Sequence, residues 1–363
     1  MSADRDDNRV VLHVVSYDIA RGAELYAQAL VEALNARGAH RHVLGTLFSG
    51  EEANLDPEVA LDVPRGWLRR AGLDPRVVLR LRRVLAEIEP AVVVAHGGEP
   101  AKYAAMCASK VPYVYLLIGS SHPLLRNPIR RAMRKLYVDR AAALVAVSKS
   151  LAVELRRELG DESGRLHVIP NGRDPGLYRP RGNATRPVPR LIFVGHLDDQ
   201  KRPLLFLDVL RQVAARGIEV AGTIVGSGPL LETVSAEAEG LGVDVLGPRD
   251  DVPDLLADSD LLVLTSRPPE GMPGVLIEAG LTAIPVVATD VPGADEIVVD
   301  GVTGMVVGVD DVNGLVEAVA SLATDPPLRL EMGKAARDRC VERFSIEASA
   351  RHWDDVLSGI VDE

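Results

Sequence analysis

The chain has 363 residues, of which 47% are apolar, 26% charged and 4% aromatic, and its net charge is −11. This length predicts two domains or three, and the apolar fraction excludes a disordered chain. The longest apolar stretches are far shorter than the roughly 20 residues that span a bilayer, so we expect a soluble globular protein.

Charge and cysteine usage narrow the class further. Residues 1–180 carry 26 basic and 21 acidic side chains and residues 181–363 carry 15 and 31, so the two halves have net charges of +5 and −16. A basic half can contact an anionic membrane surface or an anionic substrate. Cys107 and Cys340 lie too far apart to suggest a metal cluster or a disulfide framework. The first nine residues contain no apolar segment typical of a secretion signal, so we expect a cytoplasmic protein.

In the first half, short runs rich in β-branched residues alternate with longer amphipathic stretches. This alternation predicts a parallel sheet with crossover helices. The predicted strands are 10–16, 91–96, 114–117 and 143–148, and the predicted helices are 22–37, 101–108, 127–138 and 151–159. Residues 170–189 are rich in proline and glycine and predict an interdomain linker.

The alternation resumes after the linker and ends in three helices. The predicted strands are 191–195, 220–226, 243–247, 261–265, 285–289 and 305–307, and the predicted helices are 204–216, 230–240, 275–280, 312–323, 328–341 and 345–360. We therefore predict two Rossmann-like α/β domains, residues 1–182 and 183–344, with residues 345–363 packing back onto the first. Because open α/β sheets bind ligands beyond the carboxyl ends of their strands, we expect the domains to face each other across a cleft that holds the active site.

Two carboxylates eight residues apart mark a candidate site. Glu270 lies in the loop after the predicted strand 261–265, and Glu278 lies in the helix that this loop opens. A helix N-terminus binds anions such as phosphates through its N–H groups and its dipole, and carboxylates accept hydrogen bonds from sugar or ribose hydroxyls. The alternative is an ordinary loop with both carboxylates solvated.

The two glutamates frame a Gly-Met-Pro sequence, and further motifs follow one another along almost the whole chain. These are Arg21-Gly-Ala-Glu24, Val94-Ala-His-Gly97, Val147-Ser-Lys-Ser150, Val168-Ile-Pro-Asn-Gly172, Phe193-Val-Gly-His-Leu197 with Lys201, Val225-Gly-Ser-Gly-Pro229, Ile284-Pro-Val-Val-Ala-Thr-Asp290 and Gly301-Val-Thr-Gly304. In order and spacing they resemble the retaining GT-B glycosyltransferases of family 4, the glycosyl transferases group 1.

The resemblance implies a retaining, metal-independent transferase that moves a sugar from a UDP- or GDP-sugar to an acceptor hydroxyl, whose proton passes to the departing phosphate. The second domain would bind the donor and the first domain the acceptor. It places Glu278 at the donor ribose, Glu270 beside the donor sugar and Lys201 at the diphosphate. The backbone amides near the phosphates and the sugar would belong to Gly271, Met272, Gly274 and Val275; Pro273 has no N–H to contribute.

Two positions depart from the family pattern. His196 stands where the family usually has arginine, and a histidine carries full charge only below about its reference pKa of 6.5. Neutralisation of the phosphates would then be weaker, or Arg202 would compensate. Ile118 stands where many relatives have histidine, so that role is vacant or is taken by His122 in the following loop.

Four more residues are candidates with structural alternatives. His96 ends a strand and is expected to reach the cleft or to hold its loop. Gly22 begins a helix and would bring backbone close to the diphosphate or the acceptor, unless it serves only the turn. Gly226 lies in a turn that lacks the third glycine of the dinucleotide fingerprint, which is weak evidence for NAD, and the resemblance implies that this turn belongs to the donor site near the base. Arg249 is expected near the nucleotide base, or in an exposed turn.

Other features favour or exclude partners. Asp258 and Asp260 imitate a metal-binding Asp-x-Asp motif, but their position before a buried strand favours a structural role, so we expect no metal and no cofactor. The basic stretch 126–140, with a second basic cluster at Arg69, Arg70, Arg80, Arg82 and Arg83, predicts a peripheral membrane contact or a solvated face. The acidic total argues against nucleic acid.

Two other functions remain open from the sequence. One is a nucleotide-sugar epimerase or hydrolase of the same fold, which would need no acceptor. The other is a non-catalytic nucleotide-sugar binder, which the histidine and isoleucine at positions 196 and 118 would suit.

Overall fold

The computed structural model describes residues 9–19, 22–49, 55–64, 73–108, 110–119, 128–159, 164–180 and 186–361, with the backbone alone for 128–131, 158 and 159. The chain forms two compact units. The first comprises Met1–Gly172 with Ile346–Glu363, and the second comprises Arg173–Ser345.

The first unit is built on a seven-stranded sheet in the order β3-β2-β1-β4-β5-β6-β7, and every neighbouring pair is parallel. Buried valine and leucine fill both faces of its central strands, which is typical of a parallel sheet covered by helices. The strands are β1 (Val10–Tyr17), β2 (Arg41–Phe48), β3 (Val59–Val63), β4 (Val92–His96), β5 (Tyr113–Leu117), β6 (Ala143–Ala146) and β7 (Leu166–Val168). The helices between them are α1 (Gly22–Arg37), α2 (Pro75–Ile88), α3 (Gly98–Cys107), α4 (Pro128–Asp139) and α5 (Lys149–Leu159).

The second unit repeats this plan with six parallel strands in the order β10-β9-β8-β11-β12-β13. The strands are β8 (Arg190–Val194), β9 (Ala221–Val225), β10 (Val243–Gly247), β11 (Leu261–Leu264), β12 (Val286–Thr289) and β13 (Gly304–Val307). The helices are α6 (Pro203–Ala215), α7 (Leu231–Ala238), α8 (Val252–Ala257), α9 (Gly274–Leu281), α10 (Ala294–Ile297), α11 (Val312–Thr324) and α12 (Pro326–Phe344).

Strand order reverses once in each sheet, and the reversal locates the ligand-binding edge. The chain runs outward from β1 to β3 and then returns to β4 on the other side of β1; in the second unit it runs from β8 to β10 and returns to β11. Open α/β sheets bind ligands at the carboxyl ends of the strands beside such a switch point. The loops after β8 and β11 are therefore the first place to search for a site.

Three helices, α2, α11 and α12, begin at an aspartate that caps the first turn. Asp74, Asp311 and Asp325 accept hydrogen bonds from the backbone N–H groups of the first turns of α2, α11 and α12. Each carboxylate satisfies a donor that has no partner within its helix and lies at the positive end of the helix dipole.

The last helix, α13 (Ile346–Val361), belongs to the first unit and buries Trp353 completely. The Trp353 indole donates to the Tyr26 hydroxyl at 2.9 Å, and that hydroxyl lies 2.8 Å from Ser349 Oγ. Ser349 in turn donates to the Pro170 carbonyl at 3.0 Å. A chain of hydrogen bonds therefore joins α1, α13 and Pro170, which lies near the end of the segment Met1–Gly172.

The structure differs from the sequence prediction in six elements and in one boundary. β2, β3, β7 and α2 were not predicted, because arginines, Gly45 and the short length of β7 interrupt the apolar pattern. The helices α8 and α10 were not predicted either, because six and four residues are too few to show a helical period. Two arginines of the predicted basic cluster, Arg80 and Arg82, donate to backbone carbonyls of neighbouring segments. The units divide after Gly172, whereas the sequence placed the boundary at 182, because the Arg173 N–H donates to the Phe344 carbonyl of α12.

Candidate functional site

The loop after β8 is held in a fixed shape by the loop after β11. Asp198 accepts hydrogen bonds from the backbone N–H groups of Gln200 and Lys201 at 3.0 and 2.9 Å. The hydroxyl of Thr265, which is fully buried, donates to the carbonyls of Lys201 and Arg202 at 2.8 and 2.9 Å. These bonds fix the backbone from which the Lys201 side chain extends.

Lys201 and Glu270 form an ion pair at these strand ends, with Nζ 2.5 Å from Oε1. The Glu270 side chain is 9% exposed and that of Lys201 is 24% exposed, so water screens the pair only in part. The structure therefore brings together two residues that lie 69 positions apart and that the sequence assigned to one site.

The remaining donor-site candidates of this loop lie at the start of α9. Gly271 and Met272 are buried, whereas Gly274 and Val275 are partly exposed. The N-cap of α9 is Pro273, which has no side-chain acceptor to cap the helix. The N-terminus of α9 thus keeps its positive dipole end without a side-chain cap, and it begins four residues after Glu270 in the chain.

Close backbone contacts hold these loops together and depend on glycine. Gly226, after β9, has a φ of +143°, and a Cβ there would overlap the Gly195 carbonyl oxygen. Gly293, after β12, has a φ of +82°, and a Cβ there would lie 2.5 Å from the Gly271 carbonyl oxygen. The ends of β8, β9, β11 and β12 therefore approach one another as closely as backbones can.

We expect Gly226→Ala to lower the free energy of unfolding by about 3 kcal/mol, because the methyl group both overlaps a backbone carbonyl and requires a strained φ. Urea unfolding measures the change. The matched control is Gly217→Ala, where φ is +77° but nothing lies within 4 Å of the added methyl group, so only the strain of about 1 kcal/mol remains. Equal losses in the two variants would contradict the overlap.

The Glu278 carboxylate has two neighbours, Arg173 and Tyr178, that the sequence analysis did not select. Its Oε1 accepts a hydrogen bond from Arg173 Nε at 2.8 Å, and both side chains are 14% exposed. Burial, followed by the nearby negative charge of Glu278, raises the pKa of Tyr178. No local signal points to these partners, because Arg173 lies 105 positions before Glu278.

Three further cationic candidates occupy different surroundings. His196 is exposed in the loop after β8. Arg202 donates to the Val309 carbonyl at 2.6 Å and lies 3.7 Å from Asp310, so its guanidinium is engaged within the second unit. Arg249 is exposed and forms two hydrogen bonds with Asp251, of 2.8 and 2.6 Å, that raise its pKa. The donor roles assigned to all three stay predictions.

In the first unit, His96 ends a chain of three buried histidines. His13 Nδ1 lies 3.0 Å from His96 Nε2, and His13 Nε2 lies 3.0 Å from His42 Nδ1. The three side chains are at most 4% exposed. Burial lowers the pKa of His96 to about 3 and, with nearby His40, that of His42 to about 4. Burial, then His96 and His42, lower the pKa of His13 well below its usual value, so all three are neutral at pH 7.

The other acceptor-side candidates are less constrained. Gly22 begins α1, and a Cβ there would meet nothing within 4 Å, so packing in the first unit does not require glycine at this position. His122 lies outside the described residues, and Ile118 follows β5.

The Asp258–Asp260 motif serves the start of β8. The Asp258 carboxylate binds Arg186 at 2.6 Å and also pairs with Arg190, and Asp260 Oδ2 accepts the backbone N–H of Arg190 at 2.8 Å. Among the residues that the structure describes, no group of three or more His, Cys, Asp or Glu side chains could hold a metal ion. In the same part of the chain, no helix has the length and apolar character to cross a bilayer.

Comparison with known proteins defines the class. Residues 20–177 match the family model for Glycosyltransferase Family 4, and residues 188–325 match that for Glycosyl transferases group 1. The chain therefore belongs to the group 1, family 4 glycosyltransferases, and its two parallel-sheet Rossmann-like domains have the GT-B fold.

Individual relatives agree with this class. The chain is 30% identical to an exopolysaccharide phosphotransferase of Streptomyces coelicolor over 67% of its own length, and it spans only a quarter of that protein's length. It is 27% identical to a GDP-mannose-dependent phosphatidylinositol monomannoside mannosyltransferase of Mycolicibacterium smegmatis, over 79% of this chain and 81% of the relative. The crystal structure of Anabaena HepE with UDP-glucose shares the fold, with a TM-score of 0.80, 22% identity and coverage of 97% and 100% of the two chains.

Proposed function

We propose that this glycosyltransferase moves a sugar from a nucleotide-diphosphate donor, a UDP- or GDP-sugar, to an acceptor hydroxyl with retention of anomeric configuration. The observation that carries the proposal is the Lys201–Glu270 ion pair at the carboxyl ends of β8 and β11, followed in the chain by the N-terminus of α9. The names of a GDP-mannose-dependent relative and of a neighbour that binds UDP-glucose support a nucleotide-sugar donor.

The second unit would bind the donor. Lys201 neutralises the diphosphate as it leaves, since charge that develops in the transition state is stabilised best by a positive group already in place. The first amides of α9 add donors for the phosphate oxygens. Glu270 positions the donor sugar, and Glu278 accepts hydrogen bonds from the ribose. Because lysine and the helix dipole supply the positive charge, the proposed reaction needs no metal ion.

The first unit would bind the acceptor. Gly22 lies after β1 and His96 is the last residue of β4, and these two strands meet at the switch point of the first sheet. His96 stays neutral at physiological pH, because burial lowers its pKa to about 3. We therefore assign it to holding the end of β4 rather than to proton transfer.

Peripheral contact with an anionic membrane is part of the proposal. In α4, Leu136 and Met133 are 52% and 39% exposed beside the exposed Lys135, a combination that suits the surface of a bilayer. Sedimentation with vesicles of phosphatidylglycerol, but not of phosphatidylcholine, would support this contact.

Product analysis tests the proposed reaction. The enzyme is incubated with UDP- and GDP-sugars and simple alcohol or sugar acceptors, and the anomeric configuration of the product is read by NMR. Retained configuration with release of the nucleoside diphosphate is the expected result. Inverted configuration would contradict retention, and release of free sugar or an altered donor in every assay would favour a hydrolase or an epimerase.

A further inference from the structure

The segment that carries Arg173 is fixed to the second unit along its length. The Arg173 N–H donates to the Phe344 carbonyl at 3.0 Å, and the Asp174 carbonyl accepts the N–H groups of Leu177 and Tyr178. Arg337 on α12 donates to the Tyr178 carbonyl at 3.2 Å. Side chains that extend from this segment toward α9 therefore have a fixed origin.

The Arg173 guanidinium lies between Glu278 and the first residue of α9. Its Nε donates to Glu278 Oε1 at 2.8 Å. It also packs directly on Gly274, where a Cβ would overlap Nη2 and lie 3.2 Å from Cζ. Only glycine at position 274 leaves room for this arrangement, so the sequence of α9 accommodates the arginine.

Glu278 keeps the capacity to bind a ligand in this arrangement. A carboxylate has two oxygens with about four acceptor sites, and the Arg173 Nε–H uses one of them. Arg173, at a fixed position, orients the Glu278 carboxylate, because a planar guanidinium sets direction as well as charge. Since the ion pair neutralises Arg173, its influence on a ligand passes through the position of Glu278.

We propose that Arg173 is a positioning residue that orients Glu278 toward the ribose diol of the donor nucleotide and thereby sets donor affinity. This inference rests on the proposed function, in which Glu278 binds the ribose. Arg173 lies outside the loops after β8 and β11, so its position relative to the strands does not by itself identify it as a site residue.

The test measures nucleotide affinity with and without the ribose hydroxyls. UDP and GDP, each with its 2′,3′-dideoxy counterpart, are titrated calorimetrically into the wild type and Arg173→Val. We expect Arg173→Val to weaken binding of the ribonucleotide about tenfold and to change binding of the dideoxynucleotide less than about twofold. In the Glu278→Ala background, Arg173→Val should add no further loss, because the group through which it acts is gone.

Two further variants and one control keep the test decisive. Arg173→Gln removes the charge and replaces Arg173→Val if that variant does not fold, and Tyr178→Phe removes the hydroxyl of the neighbouring Tyr178. Arg179→Val, at an exposed position of the same segment, should leave all affinities unchanged. Wild-type affinity for the ribonucleotide in Arg173→Val, Arg173→Gln and Tyr178→Phe would overturn the positioning role. A wild type that binds no nucleotide would instead overturn the proposed function on which it rests.

Discussion

Replacing Lys201 with alanine is expected to lower kcat/KM for sugar transfer by about a hundred- to a thousandfold, the range seen when one preorganised group is removed from a developing negative charge. Two effects act together. The leaving diphosphate loses its cation, and Glu270, which is 9% exposed, keeps a negative charge without its ion-pair partner beside the donor. Steady-state kinetics with the donor identified by product analysis measure the change.

The control for this prediction is Lys334→Ala, which removes an exposed lysine of α12 in the same unit and should leave kcat/KM within about twofold. Circular dichroism of both variants separates loss of activity from loss of structure. A Lys201→Ala enzyme with wild-type kcat/KM would contradict the role of this lysine in stabilising the leaving group.

The first unit should be strongly acid-labile because of its three buried histidines. In the unfolded chain a histidine titrates near pH 6.5, whereas burial holds the pKa of His42 at about 4 and that of His96 at about 3 in the folded state. Their stabilisation is complete above pH 6.5 and is lost as the pH falls toward the folded-state values, because the unfolded chain then binds protons that the folded chain does not. At pH 5 the loss is about 2 kcal/mol each for His42 and His96, or about 4 kcal/mol for the two, and His13, whose pKa is also lowered, adds to the loss in the same direction.

Tryptophan fluorescence during denaturant unfolding at pH 7.5 and pH 5.0 measures this loss, since both tryptophans, Trp67 and Trp353, belong to the first unit. His352→Gln, at an exposed position of α13, is the matched control and should leave the pH dependence unchanged. An unfolding free energy that differs by less than about 1 kcal/mol between the two pH values would contradict the neutral histidine chain.

The fold was predictable where local apolar patterning is strong. The four leucine and valine residues of β11 predict a buried strand by themselves, and the alternation of such runs with helices predicts the two parallel sheets. β2 contains Arg41, His42 and Gly45, and α2 contains four arginines, so neither shows the apolar pattern of its neighbours. Their burial is decided by the strands and helices that cover them, which the sequence does not show locally.

Only those residues of the candidate site that lie close together in the sequence were predictable from the residues alone. Glu270 and Glu278 lie in one loop and one helix, so their spacing is informative, and the family resemblance adds Lys201. The pairing of Glu278 with Arg173 joins positions 105 residues apart and has no periodic signal. His13 had a weaker signal, because a histidine between Leu12 and Val14 in a predicted strand needs a buried partner. One of its partners, His96, lay in a predicted strand, whereas the other, His42, could not be named while β2 was missing from the prediction.

The most direct test of the donor site is a calorimetric titration of the wild type and Glu278→Ala with UDP, GDP and ADP and their common sugar conjugates. We expect one nucleotide to bind selectively to the wild type and at least about tenfold more weakly to Glu278→Ala, since a ribose that loses a charged acceptor loses about that much affinity. If none of these nucleotides binds, or if the wild type and Glu278→Ala bind the nucleotide equally tightly, the assignment of donor binding to Lys201, Glu270 and Glu278 is contradicted.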